Sequence, residues 1–176
     1  MLIRVYTKTW HITKLVPILE ELGLEYRIFT KFNVEYEKNY ITSIYDSEPF
    51  DLGICYAYSR KILPPLLLIP SLGFINFHAA PLPEYPGGNP YSQGIENNVK
   101  RWGVTCHYMT EEYDKGKIIK KRYFNTTAKN RTDLGIQSYE ELLKLFKEVM
   151  TSFANEPEGQ VCSVRQEEQG QEKTSV

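Results

Sequence analysis

The sequence predicts an α/β fold with a mostly parallel central sheet flanked by helices, and three observations carry that expectation. Short apolar runs such as "DLGICYA" (51–57) and "GFINFH" (73–78) have the length and composition of central strands buried on both faces. Segments with helical apolar spacing alternate with them, as in βαβ units. With 176 residues, 41% of them hydrophobic and 24% charged, the chain can fill one globular core.

The elements follow in order. "LIRVYT" (2–7) reads as the first strand. In "HITKLVPILEELG", Ile12, Leu15, Val16, Leu19 and Leu22 recur at helical spacing, and Gly23 suits the C-terminal cap. Pro17 is expected only near the start of such a helix, because a proline further in removes a backbone hydrogen bond. "YRIFT" (26–30) is the second strand, followed by 51–57 and 73–78. "PYSQGIENN" (90–98) is a helix opening on Pro90, and "GVTCHYM" (103–109) and "KIIKKRYF" (117–124) are strands. "SYEELLKLFKEVMTSF" (138–153) is read as a helix opened by a Ser138–Glu141 capping box, with Leu142, Leu143, Phe146, Val149, Met150 and Phe153 on one face. Residues 1–154 are thus read as a single domain, and the polar stretch 155–176 as a disordered tail.

Several function classes are disfavoured at this level. A net charge of −1 gives no reason to expect nucleic acid or a membrane surface as partner. "ILPPLLLI" (62–69) is too short to span a bilayer and is broken by prolines, and "MLIRVYTKTWH" does not read as a signal peptide. Cys55, Cys106 and Cys162 form no CxxC pair or Cys/His cluster, so neither a disulfide framework nor a metal site is expected, and a reducing cytoplasm fits. No glycine-rich dinucleotide fingerprint, phosphate loop or nucleophile elbow is present.

The chemistry-bearing candidates lie around "FINFHAAPLPEYPGGNP" (74–90). Asn76 and His78 are two apart, so in a strand they share a face. Taken alone, such a pair is more often a loop-capping Asn and a His satisfied by backbone. Asp114 in "EYDKG" is, taken alone, a turn residue. "PEYP" (83–86) matches a polyproline ligand pattern, but it lies inside a folded segment.

In sequence order, "INFHAAPLPEYPGGNP", "WGVTCHYM" and "EEYDKGKII" resemble the folate-dependent formyltransferase family, with "DLGICYAYSRKIL" upstream similar to its cofactor-side strand and loop. The match covers roughly residues 51–119. The resemblance implies a Rossmann-like domain that transfers a formyl group from N10-formyltetrahydrofolate to a primary amine. Asn76 would donate to the developing oxyanion, His78 would take up the amine proton, and Asp114 would orient the imidazole. It further implies Tyr58, Ser59, Arg60, Ile62, Leu63 and Tyr113 on the folate side, and Gly88, Asn89 and Tyr91 on the acceptor side. A homodimer, with the segment after residue 117 as its contact, is implied by the resemblance alone.

Within the family, "GGNPYS" and "WGVT" look most like the enzymes that act on nucleotide-linked (dTDP- or UDP-) amino sugars. Pro86 stands where the family loop usually has Arg or Lys, and Gln93 where a bulky residue is frequent. Methionyl-tRNA formyltransferase would need a second domain, for which 176 residues are expected to leave no room. Glycinamide ribonucleotide formyltransferase remains the alternative, and a non-catalytic folate- or nucleotide-binding protein on the same fold is the rival from another class. From 115 to 131 the chain carries seven cations and no acid. That run is either a solvated edge or a rim for a diphosphate, in which Lys120 and Arg122 share one face and Lys121 the other. Tyr91, Trp102, Tyr123 and Phe124 are candidates for stacking on a base.

Overall fold

The structure is a computed structural model that describes residues 1–30, 49–58, 61, 62 and 64–155. The strands are β1 (Leu2–Thr7), β2 (Glu25–Phe29), β3 (Leu52–Tyr56), β4 (Phe74–His78), β5 (Arg101–Tyr108) and β6 (Ile118–Asn125). The helices are α1 (Ile12–Glu21), α2 (Pro64–Leu67), α3 (Pro90–Glu96) and α4 (Arg131–Asn155). The strands form one six-stranded sheet in the order β2-β1-β3-β4-β5-β6. Its first four strands are parallel, whereas β5 and β6 run antiparallel to their neighbours. The α/β class and the mostly parallel sheet agree with the sequence expectation. Asn155, read as the first residue of the tail, is the last residue of α4, and the rest of the predicted tail, with Cys162, falls outside the described residues.

Period-two alternation divides the sheet into two faces with different jobs. Ile3, Val5, Leu52, Ile54, Tyr56, Ile75, Phe77, Val104 and Cys106 turn to the helix side, where Leu15 and Leu19 of α1 and Leu142, Leu145, Phe146, Val149 and Met150 of α4 bury against them. Phe146 lies 5.1 Å from the Phe77 ring and 5.6 Å from Tyr56. Truncating such a side chain to Ala costs about 3–5 kcal/mol. The other face carries Tyr6, Cys55 and Phe74 over Ile62 and Leu67, and it continues into Asn76, His78 and His107.

Helix ends follow local chemistry, with two differences from expectation. Gly23 takes φ +65° and closes α1 in a Schellman pattern, with Gly23 N–H donating to Glu20 O and Leu24 N–H to Leu19 O. Pro17 sits inside α1 rather than at its start. It is tolerated because it lies on the exposed side, where the carbonyl of exposed Thr13, deprived of its usual donor, can turn to water. The capping box expected at Ser138 is not a helix start. Helix α4 begins at Arg131, where Asn130 Oδ1 accepts the Asp133 N–H and its amide donates to the Asp133 carboxylate. Ser138 is buried inside the helix and donates to Leu134 O, and Gly135 in the same turn lies against the Tyr91 ring.

His11 ends the 3-10 turn that precedes α1 and is buried beside Tyr56 and Tyr139. Burial, with a smaller push from Lys8, lowers its pKa from 6.5 to about 4. The folded value lies below the unfolded one, so its contribution is fully present above pH 6.5 and is lost as pH falls toward 4. We expect the melting temperature of His11→Phe to fall less than that of the wild type between pH 6.5 and 4. Parallel melting curves across that window would assign the acid sensitivity elsewhere.

Candidate active site

A cleft of about 420 Å³ opens on the second face of the sheet. Its floor is set by strand register. Cys55, Asn76 and His107 are aligned neighbours across β3, β4 and β5, and His78 lies two residues beyond Asn76 on the same face. Because β5 is antiparallel, its end returns to the start of β4, where Met109 N–H donates to Phe74 O. The segment from Met109 to Asp114 then lines the cleft, with Gly87 and Gly88 of the proline-rich loop opposite and Tyr58, Lys61 and Ile62 on a third side.

Asp114 joins these parts. It adopts φ +55°, in the left-handed region, and its Oδ2 accepts the Gly87 N–H at 2.8 Å. Gly87 has φ +85°, which a side chain rarely adopts, so this glycine is required for the loop to offer its amide. Asp114 Oδ1 lies 3.7 Å from His78 Nδ1 and 3.5 Å from His107 Nε2. Burial alone would raise the Asp114 pKa, but the two imidazoles beside it and the Gly87 N–H outweigh it and hold the carboxyl below its usual range.

His78 Nε2 lies 2.9 Å from Tyr85 O. A carbonyl only accepts, so Nε2 carries the proton of the neutral ring and Nδ1 presents its lone pair toward Asp114. Burial lowers the His78 pKa below 6.5, against the opposing pull of Asp114 and the Tyr85 carbonyl, with His107 adding to the lowering. The ring is therefore neutral at pH 7. Burial also pushes the Cys55 thiol far up, so this residue on the cleft floor stays protonated and is not a nucleophile.

The structure brings Asn76, His78 and Asp114, the three residues named by the resemblance, to one cleft, with Tyr58, Ile62, Tyr113 and Gly88 around it. Ser59, Arg60 and Leu63 lie outside the described residues. Other expected positions lie elsewhere. Exposed Asn89 precedes α3 without a side-chain capping bond. Tyr91 packs on Gly135 and Tyr139, and burial with its hydroxyl contacts to Tyr139 raises its pKa. Trp102 is fully buried under Tyr85, and Phe124 packs toward the core, so neither offers a stacking face.

The basic run also divides differently from expectation. Lys120 pairs with Glu148 at 2.9 Å, and Arg122 pairs with Glu141 and Glu148, so both belong to the β6–α4 seam rather than to the cleft. Lys121 lies on the same sheet face as the cleft, in line with Thr105 of β5 and His78 of β4, with its Nζ 3.9 Å from Glu84 Oε2. His107 had no role in the sequence reading, although it stands in the quoted "GVTCH" strand. The missing signal was register, since only its alignment with Asn76 makes it part of the site.

The formyl transferase family matches residues 21–143, well over half the chain. The chain belongs to this family. Methionyl-tRNA formyltransferase from Halothermothrix orenii is 31% identical over 163 residues, covering 93% of this chain and 49% of that protein. The enzyme of that name from Lysinibacillus sphaericus is 46% identical over 72 residues, covering 41% of this chain and 23% of the relative. The chain thus spans about half or less of the length of these relatives, and its length does not decide against their activity as the sequence reading expected. Among solved structures, phosphoribosylglycinamide formyltransferase from Bacillus halodurans superposes with TM-score 0.72 at 18% identity, covering 92% of this chain and 99% of that one. The N-formyltransferase from Helicobacter canadensis, in complex with folinic acid and dTDP-3-aminofucose, gives 0.66 at 18% identity over 88% of this chain and 64% of that one. At these identities the likeness shows the shared fold.

The loop that delivers Asp114 closes on Gly116. A Cβ there would stand 1.8 Å from Tyr108 O, a backbone atom that cannot step aside. Gly116→Ala is expected to displace the loop and lower kcat/KM by about a hundredfold, the scale set by a misplacement near 1 Å. Turnover and a melting curve measured together check this; wild-type turnover would show that the loop tolerates the shift.

Proposed function

We propose that this chain transfers a formyl group from N10-formyltetrahydrofolate to the primary amine of a nucleotide-linked (dTDP- or UDP-) amino sugar. The observation that carries the reading is the convergence of Asn76, His78 and Asp114 on one cleft. The residues around that cleft suit the folate cosubstrate. Tyr58, Ile62, Met109 and Tyr113 offer flat and apolar surface for a fused ring, and the Lys61 ammonium, 5.4 Å from the Tyr113 ring, suits a carboxylated tail. When bound, the cosubstrate supplies the electrophilic formyl carbon.

The side chains then divide the work. Asn76 donates an amide N–H to the formyl oxygen as negative charge develops there. His78, neutral because burial lowers its pKa, receives the amine proton at Nδ1. Asp114 stays ionised, since its pKa is held down, and stabilises the resulting imidazolium until His78 passes the proton to the folate nitrogen as its bond to the formyl carbon breaks. The preference for a sugar nucleotide is supported by the "GGNPYS" and "WGVT" stretches and by the folinic acid and dTDP-3-aminofucose held by the Helicobacter canadensis neighbour. A second reading, methionyl-tRNA as acceptor, is favoured by the 31% identity to the Halothermothrix orenii enzyme. The homodimer implied by the resemblance would use β6, the edge of the sheet.

Asn76→Ala and His78→Ala are expected to lower kcat by about 10²–10³ and 10²–10⁴ with melting curves unchanged. Because the folded pKa of His78 lies below 6.5, its base form persists at pH 6.5, and kcat/KM should fall only as pH drops below that value. A rate that declines from pH 8 to 7 would remove His78 as the base. Product mass after incubation with N10-formyltetrahydrofolate and a panel of nucleotide-linked amino sugars, glycinamide ribonucleotide and methionyl-tRNA decides the acceptor. Formylation of methionyl-tRNA alone would overturn the sugar reading.

Lys121 takes over the anion-binding role expected of its neighbours. Lys121→Gln should raise the KM of a nucleotide-linked acceptor several-fold, roughly the value of a charge-assisted contact. Lys120→Gln combined with Arg122→Gln should leave that KM unchanged and lower stability by about 1 kcal/mol or less, as exposed pairs do. The reverse pattern would return the acceptor to the α4 side of β6.

A further inference from the structure

We propose that His107 is a positioning residue that fixes which end of the Asn76 amide faces the cleft, an inference that rests on the reading of Asn76 as the oxyanion donor. His107 is fully enclosed, with its side chain 2% exposed. Its Nδ1 lies 2.8 Å from the carbonyl oxygen of Tyr108. That oxygen has no proton to give, so Nδ1–H donates to it and the neutral ring leaves a lone pair on Nε2. Asn76 Nδ2 lies 3.2 Å from that nitrogen. An unprotonated Nε2 can only accept, and this requires the NH₂ end of Asn76, not its carbonyl, at that position. One N–H of the amide is held by His107 and the second remains available to a substrate oxygen.

The chain of constraints runs from backbone to site. The Tyr108 carbonyl sets the tautomer, the tautomer sets the amide, and the amide presents the donor. If Nε2 carried the proton instead, the Asn76 amide would have to turn its oxygen toward it. Nε2–H would otherwise point to Asp114 Oδ1, 3.5 Å away, and compete with His78 for the same carboxylate oxygen. A neutral, Nδ1-protonated His107 therefore serves two purposes. It orients the donor, and it leaves Asp114 to support charge on His78. A lone Asn at this position would have two amide orientations separated by a simple rotation, and only the one His107 selects is certain to offer an N–H.

The first test needs no substrate. Nitrogen-15 NMR of the full chain at neutral pH should show His107 protonated at Nδ1 and bare at Nε2. The Asn76 NH₂ signals, assigned by their loss in Asn76→Ala, should be inequivalent with one proton slowed in exchange, and that slowing should vanish in His107→Leu. An Nε2-protonated ring, or Asn76 signals unchanged in His107→Leu, overturns the proposal. The second test is kinetic. His107→Leu should lower kcat about a hundredfold with both KM values unchanged, the effect of a lost oxyanion donor. His107→Gln, whose side-chain oxygen can accept from the same amide, should recover activity to within about tenfold of wild type. In an Asn76→Ala background, His107→Leu should cost less than about threefold more, because the two act as one unit. Fully additive losses, or a Gln variant as impaired as the Leu variant, overturn it. If Asn76→Ala alone keeps wild-type turnover, the oxyanion reading of Asn76 fails instead, and the spectra still decide the role of His107.

Discussion

The carboxylate of Asp114 is where the separate parts of this cleft meet. One oxygen takes the Gly87 amide and the other stands between two imidazoles, His78 and His107. The asymmetry between the rings follows from their backbone partners. His78 is protonated toward Tyr85 O and opens its lone pair to Asp114, whereas His107 is protonated toward Tyr108 O and opens its lone pair to Asn76. Two carbonyls of the main chain thus assign two different tasks to two identical side chains.

That arrangement depends on the reversal of strand direction halfway across the sheet. Had β5 been parallel to β4, its end would leave from the same edge as the proline-rich loop. Because it is antiparallel, the chain exits beside Phe74 and sends Asp114 across the face to meet Gly87 from the other side. Close packing at Gly116 keeps that segment short and tight. The helix-side core under Phe77 and Phe146 holds the strands in register without contributing to the cleft itself.

Much of this was legible from the residues. Two-residue spacing put Asn76 and His78 on one face, Gly23 marked the end of α1, and the short apolar runs marked the buried strands. The start of α4 was misplaced because two similar signals lie eight residues apart. Asn130 with Asp133 forms the cap, while Ser138 with Glu141 fits the same pattern but is overridden by the burial of Ser138. Alternation separated Lys120 and Arg122 from Lys121, yet it could not say which face looks into the cleft. That needed the register of β6 on β5, and the acids that claim Lys120 and Arg122, Glu141 and Glu148, come from the helix that follows. His107 stayed hidden for the same reason, since its partner Asn76 is 31 residues away.

The origins of the three groups give the site two different lifetimes. Asn76, His78 and His107 belong to central strands paired on both sides, so they separate only when the whole sheet opens. Asp114 belongs to a connecting segment whose neighbours Glu111, Glu112, Tyr113 and Lys115 are exposed, and its tie to the opposite loop is an exposed hydrogen bond. Segments of that kind open locally at far lower free energy than the sheet around them. Local opening of that segment would withdraw the carboxylate from the cleft with the sheet intact. In the open interval His78 is left buried without its counter-charge, a state in which it releases a proton more readily than in the closed one.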